Sequence, residues 1–488
     1  MDLTRFAITN NRVTFMLLVA ILVGGYSAYT TMEQAMDPGF TIRTAQIITS
    51  FPGASPDRVE ALVTDQLETA IQQLPELDFV SSTSKTGLSI ISANIRNEFT
   101  EMRPIWDSLR RKIDEAARNL PDGARPPEVN DEFGDVYGTL VAITGDGFDY
   151  RELKDFAQQF RDSLLRLENV GKAEIWGTQD ERVFVEYNDA RLAELNLSVS
   201  QLSQILQSRN ILISGGSLLA GDERLELEPT GNFNTVEELG RTVISAPGRP
   251  DLLFLEDIAE ITRGYVDPPS GKVRANGRPA LLLAISVREG GNVVTLGEEI
   301  KGLLARVRNQ YPLGIDFEMV AFEPERVAKK VDDFANSVLQ AVAIVLLSMV
   351  LMLGLRTGLV VASLVPSALL MSLLVMQWMG LGLNQMTLAS LIIALGMLVD
   401  NAIVMSESIM VSMSEGMSPV EAAVSSAKEL RIPLLTSSLT TSAAFLPIYL
   451  AEGSMGEYTG VLFVVVTITL LCSWLLALTV IPLLCTQF

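Results

Sequence analysis

The feature that most constrains this 488-residue chain is the placement of its long uncharged runs. Six segments are apolar enough, and close enough to the roughly 20 helical residues a bilayer requires, to cross a membrane. They are 13–31, 336–355, 359–379, 387–407, 432–451 and 459–484. One stands at the beginning and five are crowded into the last third. A chain arranged this way cannot be one water-soluble globule; it reads as a membrane domain interrupted by a large aqueous block. The first run follows Arg5 and Arg12, as a secretory leader would. Its apolar core is too long for one and no small-x-small cleavage site closes it, so it is expected to stay as an anchor.

Charge tells the same story. Residues 31–335 hold 50 of the 58 acidic side chains and 32 of the 37 basic ones, which places −18 of the net −21 in that block. So acidic a surface argues against a nucleic-acid partner. The few bases of the membrane part all lie in alternate loops. Arg5 and Arg12 precede the first run, Arg356 separates the second and third, and Lys428 with Arg431 separate the fourth and fifth. Loops 380–386 and 452–458 carry neither Lys nor Arg. By the positive-inside rule that basic side is cytoplasmic, so residues 32–335 face outward and both ends of the sequence lie inside.

The external block alternates strands and helices, and the pattern comes twice. "TIRTAQIITSF", "SPDRVEALVTDQLETAIQQL", "ELDFVSSTS", "GLSIISANIR" and "EMRPIWDSLRRKIDEAARNL" read as strand, helix, strand, strand, helix. "YGTLVAITGD", "YRELKDFAQQFRDSLLRL", "GKAEIWGT" and "ERVFVEYN" repeat strand, helix, strand, strand, and the helix "SVSQLSQILQSRN" follows. These are two split βαβ modules of the ferredoxin-like kind. The second is interrupted by a glycine-bearing hairpin at 211–235 and resumes with "ALLLAISVRE", "VVTLGEEIKGLLARVRNQ" and "GIDFEMVAF". The expected fold class is an α+β membrane protein: six transmembrane helices plus this block, with a projecting hairpin.

No spacing in the block matches a nucleophile elbow, a phosphate loop or a metal site, so neither an enzyme nor a cofactor is expected. Histidine is absent, which removes the commonest proton shuttle and metal ligand. Cys472 and Cys485 fall on different faces of one apolar run and read as packing residues. Eleven of the 18 methionines lie between Met349 and Met417. A soft-metal path is conceivable there, but no His or Cys joins it, and the reading is core filler.

One residue resists a packing explanation. Thirteen uncharged residues, Thr387–Val399, lead to Asp400 and Asn401. A charged Asp at hydrocarbon depth costs about 2.5–3.5 kcal/mol on insertion scales, so it should face protein or water. A merely hydrogen-bonded carboxyl is the plain alternative; a proton carrier, loaded on one side and emptied on the other, is the functional one. Gly396 lies one turn before it and permits close helix approach. Glu407 lies two turns later on the same face, about 10 Å nearer the cytoplasm, either as a proton exit step or as a solvated interfacial side chain. "TSSLTTS", 436–442, places hydroxyls including Thr436 and Thr440 in the fifth run, where they could bond between helices or hold a water file.

"GLNQMTLASLIIALGMLVDNAIVMSES" and "PLLTSSLTTSAAFLPIYL" resemble the fourth and fifth membrane helices of resistance-nodulation-cell division (RND) efflux transporters. "FPGASPDRVEALVTDQLETAIQQLPELDFVSSTS" resembles the opening of that family's first porter module. The order of one helix, a large block and five helices matches the N-terminal half of such a transporter throughout. The resemblance implies a proton-driven exporter of hydrophobic or amphiphilic compounds in the bacterial inner membrane, working as a homotrimer with a periplasmic adaptor and an outer-membrane channel. It implies 1–31 as the cytoplasmic N-terminus and first membrane helix, 32–134 as the first porter module, and 135–210 with 236–335 as the second. The docking hairpin is then 211–235, and 336–488 holds the other five helices. Tyr137 and Trp176 fall where porter aromatics line the family's drug pocket; a place in the module core is the alternative for both.

Two departures stand out. Many members pair two aspartates in the fourth helix, whereas here Asn401 follows Asp400. The family is also an internal duplication, so a missing C-terminal half or a second polypeptide would supply the cation for Asp400. Other functions on the same architecture are a heavy-metal exporter, a translocation accessory of the SecD/SecF type, or, from another class, a membrane-anchored sensor.

Overall fold

A computed structural model describes all residues except 1–2, 133–135, 196, 210–216, 221–222, 227–232, 234, 245–252, 270, 289 and 488. The short helix α1 (Leu3–Thr9) leads into α2 (Asn11–Thr31). The first external module follows: β1 (Thr44–Ser50), α3 (Pro56–Val59), α4 (Asp65–Ile71), β2 (Leu77–Lys85), β3 (Leu88–Ile95), α5 (Arg103–Ala117) and β4 (Glu128–Asn130). A π-helical stretch, Glu60–Thr64, joins α3 to α4. The sheet runs β2-β3-β1-β4 with every pair antiparallel. Alternate residues of β1 and β3 face the helices, Ala45 and Ile47 opposite Ile91 and Ala93. They meet Ile105, Trp106, Leu109 and Ile113 from one face of α5.

The second module opens with β5 (Thr139–Gly145), α6 (Tyr150–Leu164) and β6 (Val170–Trp176). Asp149 and Glu152 form a reciprocal capping box that starts α6. A long insertion follows: β7 (Glu181–Tyr187), α7 (Asp189–Glu194), α8 (Val199–Arg209), β8 (Ser217–Ala220), β9 (Glu223–Glu226), α9 (Val236–Gly240), β10 (Val243–Ile244), β11 (Leu253–Phe254), β12 (Ala259–Tyr265) and β13 (Val273–Ala275). The module then closes with β14 (Arg278–Val287), α10 (Val293–Val307) and β15 (Ile315–Phe322). Its sheet runs β13-β14-β5-β15, with β6 also paired to β14. Leaving β13 aside, β6-β14-β5-β15 repeats the strand order of the first module.

Here the structure differs from the sequence reading. The strand "ERVFVEYN" does not extend the second module's sheet; as β7 it pairs with β12 across the full length of both. With α8 it builds a small separate core around Leu192, Leu202, Ile244 and Leu255. Strand propensity identifies β7, but only a partner about 75 residues on, supplied by the insertion, decides which sheet takes it. Within 211–235, β8 and β9 pair as an antiparallel hairpin. Apart from them, Phe233 and Thr235, that segment lies outside the described residues.

The chain re-enters the membrane part without a break. β15 runs into α11 (Glu323–Leu353), which ends at Gly354, where φ of +82° suits a residue without Cβ. Then come α12 (Leu355–Trp378), α13 (Gln385–Ser414), α14 (Pro419–Ala443), α15 (Leu446–Tyr449) and α16 (Ser454–Gln487). Five described helices are long and apolar enough to cross a membrane: α2, α11, α12, α13 and α16. The sixth expected run, 432–451, differs. α14 begins at Pro419 and so carries Glu421, Lys428, Glu429 and Arg431, then stops at Ala443 before the short α15. Pro447 explains the stop, since it has no N–H for the Ala443 carbonyl. Pro482 similarly leaves the Leu478 carbonyl of α16 without its helical donor; the hydroxyl of Thr4 in α1 fills it at 2.7 Å.

Polar contacts moor the external modules to the helices. Arg43, only 6% exposed, pairs with Glu457 in the first turn of α16 and donates from Nε to the Phe99 carbonyl at 2.8 Å. Glu457 Oε2 also accepts the Thr41 amide at 2.9 Å, and the Tyr458 hydroxyl donates to Asp37 Oδ1 at 2.6 Å. On the other side the linker after α2 pairs with the α12–α13 loop, through Leu383 N to Glu33 O at 2.7 Å and Ala35 N to Leu383 O at 3.0 Å.

Candidate functional site

α13 is built to be placed accurately. Asn384 caps it, accepting from the Met386 and Thr387 amides, and the Thr387 hydroxyl returns a bond from the Asn384 N–H at 2.8 Å. The helix is 30 residues long, so Asp400 sits about 22 Å from its start, near mid-length. That is deeper than its position within 387–407 suggests.

One face of α13 is covered. Leu391, Leu395, Leu398, Ala402, Met405 and Ile409 are buried in the membrane core. Asn401 belongs to this face: it is 5% exposed and its amide nitrogen points at Ser473 Oγ of α16 (3.3 Å) and Ser438 Oγ of α14 (3.5 Å). Ser473 in turn donates to the Leu398 carbonyl at 2.9 Å. Three helices thus meet through short polar side chains.

The opposite face is open. Ile393, Gly396, Asp400, Val404, Glu407 and Val411 are all exposed, spaced three or four residues apart along one stripe. Among the described residues Asp400 has no ion pair and no hydrogen-bond partner. A Cβ added at Gly396 would meet nothing within 4 Å. Thr436 and Thr440 of α14 are exposed as well, and the Thr440 hydroxyl bonds back to the Thr436 carbonyl at 2.8 Å. The five residues predicted as a relay therefore divide: Asp400, Glu407, Thr436 and Thr440 lie on uncovered surface, and Asn401 turns inward as a packing and hydrogen-bonding residue.

The two predicted substrate contacts do come together. The rings of Tyr137 and Trp176 are 5.3 Å apart and meet edge to face at 81°. Trp176 is 40% exposed, so it is not a module-core residue. Between them is Glu174, which the sequence reading passed over. It accepts from Trp176 Nε1 at 3.1 Å and from the Tyr137 hydroxyl. These bonds, the tyrosine's first, hold its carboxyl below the usual glutamate range, and Lys172 adds to the effect. The signal was present in "GKAEIW", where alternate residues Lys172, Glu174 and Trp176 must share one strand face. No group of three or more Asp, Glu or Cys side chains suited to a metal ion occurs among the described residues.

The family model described as AcrB/AcrD/AcrF matches residues 3–488. The chain belongs to the AcrB/AcrD/AcrF family. It is thereby an RND-family transporter chain and a multi-pass membrane protein. Among its relatives are an uncharacterized transporter of Haemophilus influenzae, 26% identical over 94% of this chain and 44% of its own length. The multidrug resistance protein MdtC of Yersinia enterocolitica is 27% identical over 97% of this chain and 46% of its own. MdtC of Serratia proteamaculans is 26% identical over the same shares. The chain therefore spans about half the length of the curated relatives it matches.

Proposed function

We propose that this chain is the N-terminal half of a proton-driven exporter of hydrophobic or amphiphilic compounds, with Asp400 as its proton carrier. The carrying observation is the uncovered stripe of α13: a carboxylate near mid-helix, one turn from a glycine, with no ion pair or hydrogen bond among the described residues. At hydrocarbon depth such a side chain cannot face lipid without a cost of several kcal/mol, so the stripe is an interface awaiting protein. The C-terminal half of the transporter, or a second polypeptide in its place, covers it and brings the cation that pairs with Asp400. Protonation then releases that cation, and the change in pairing is what the external modules respond to. Glu407, on the same stripe, passes the proton toward the cytoplasm, and Thr436 and Thr440 line the water path beside it.

In this reading the membrane part has six spanning helices, with α14 and α15 together making the fifth, and the membrane is the bacterial inner one. The two external modules are ferredoxin-like porter units in the periplasm, at 32–134 and at 135–210 with 236–335. The hairpin at 211–235 docks a neighbouring subunit of a homotrimer, and the trimer works with a periplasmic adaptor and an outer-membrane channel. Tyr137 and Trp176 contact the substrate. The multidrug resistance named in the MdtC relatives supports this direction.

The test uses the complete transporter in cells lacking other efflux systems. Asp400→Asn should leave membrane abundance unchanged and return drug susceptibility to that of cells without the transporter. Full resistance from that variant at normal abundance would remove the proton-carrier role. It would favour a membrane-anchored sensor, which needs no ionisable group at this depth.

A further inference from the structure

Among the described residues the strand β6 is the edge of its sheet, paired on one side only, with β14. Ala173 and Ile175 point inward to the module core, so Lys172, Glu174 and Trp176 point out. Among the described residues three charges share this outward surface: Glu132, Lys172 and Glu174. Lys172 Nζ pairs with Glu132 Oε2 at 2.7 Å and also attracts the Glu174 carboxylate, so two described carboxylates share this one ammonium. Its bonding is unusual for an exposed glutamate: both donors are aromatic side chains, the indole N–H and the phenol. Each bond turns a ring edge toward the carboxylate and leaves ring-face area beside a fixed negative charge.

Such a surface discriminates by charge. Aromatic faces attract a cation through the ring quadrupole, and the adjacent carboxylate adds a direct Coulomb term of the same sign. A hydrophobic cation that cannot donate hydrogen bonds fits best, because it leaves the indole and phenol bonds to Glu174 intact. A neutral molecule of equal size gains only contact area, and an anion is repelled. The surrounding block, at −18, reinforces the preference.

We propose that Glu174, held between Tyr137 and Trp176, makes this surface selective for organic cations over anions of the same shape. The proposal rests on the reading of Tyr137 and Trp176 as substrate contacts and names the charge class they take. Because the two aromatic donors and Lys172 favour the ionised carboxyl, the selectivity is lost at a lower pH than the protonation of an ordinary glutamate would set.

The test measures binding of tetraphenylphosphonium and tetraphenylborate, matched in shape and opposite in charge, to the purified complete transporter. Glu174→Gln keeps an acceptor for both rings and removes the charge. It should weaken phosphonium binding about threefold to fivefold and leave borate binding unchanged or tighter. Glu132→Gln removes the carboxylate paired with Lys172, leaves the acceptor of both ring donors in place, and should not reproduce that ratio. Trp176→Ala should weaken both ions. If Glu174→Gln alters both ions alike, or Glu132→Gln matches it, the charge selectivity is refuted while the aromatic contact stands. If Trp176→Ala alters neither ion, the contact reading falls and takes the selectivity with it.

Discussion

Asp400 and Asn401 are adjacent in the chain and about 100° apart around α13, and the two directions lead to different surroundings. Asn401 turns into a junction of three helices, where Ser438 and Ser473 receive it. Asp400 turns onto a stripe that nothing among the described residues covers. The difference separates two uses of polarity at membrane depth. An amide that meets hydroxyls is glue, worth a modest amount and replaceable; a carboxylate without a partner is a cost that only another chain segment or water can offset.

The largest expected effect tests the open side. Asp400→Asn should abolish transport while leaving thermal unfolding of the detergent-solubilised chain unchanged, because among the described residues the carboxylate has no ion pair or hydrogen bond to lose. A clear loss of thermal stability would show that the stripe is covered within this chain and would erase the contrast.

The covered side should give the opposite result. At Gly25 in α2 the backbone passes so close to α12 that an added Cβ would lie 2.6 Å from the Leu370 carbonyl carbon and from its Cβ. Gly25→Ala must push the helices apart, at about 1–3 kcal/mol for overpacking. The expected result is a lower unfolding temperature with transport reduced only in proportion to the folded fraction. An unchanged melting curve would mean that α2 is not held against α12 as described.

How much of this was legible in the sequence follows from which interactions are local. The apolar runs fixed four of the long membrane helices after the first module, α11, α12, α13 and α16, because burial in lipid needs only length and composition. Period-two and period-3.6 patterns located β1, β3, α5 and α6. The pairing of β7 with β12 was not legible, nor was the early start of α14, since a hydropathy reading stops at Arg431 while a helix does not. At the site, Asp400 stood out by its depth alone. The inward turn of Asn401 depends on where Ser438 and Ser473 arrive from other helices. Glu174 was passed over because an exposed glutamate on a strand is ordinary; its two aromatic donors come from folding.

A smaller effect belongs to Asn401→Ala. It removes the amide that reaches Ser473 and Ser438; Ser473 keeps its bond to the Leu398 carbonyl, while the buried Ser438 hydroxyl loses its contact with the amide. Polar pairs between membrane helices average under about 1 kcal/mol, and the expected loss is of that size. Transport should survive. Loss of transport without loss of stability would instead place Asn401 in the relay beside Asp400, against its buried orientation.

The smallest effect on the fold, and the sharpest contrast with Gly25, is expected at Gly396. Both are glycines on apolar helices, yet one Cβ would collide with backbone and the other would meet nothing within 4 Å. Gly396→Ala should therefore leave the isolated chain's melting temperature unchanged or raise it slightly, since alanine is the better helix former by about 1 kcal/mol. In the complete transporter the same methyl group lies one turn from Asp400, in the surface that the proposed covering helix approaches. Chemical crosslinking between cysteines placed on the stripe and on the covering helix should then fall in the Gly396→Leu variant, with transport falling alongside it. If leucine is accepted there without change to either readout, the stripe is not a close helix contact, and Asp400 faces water rather than a protein partner.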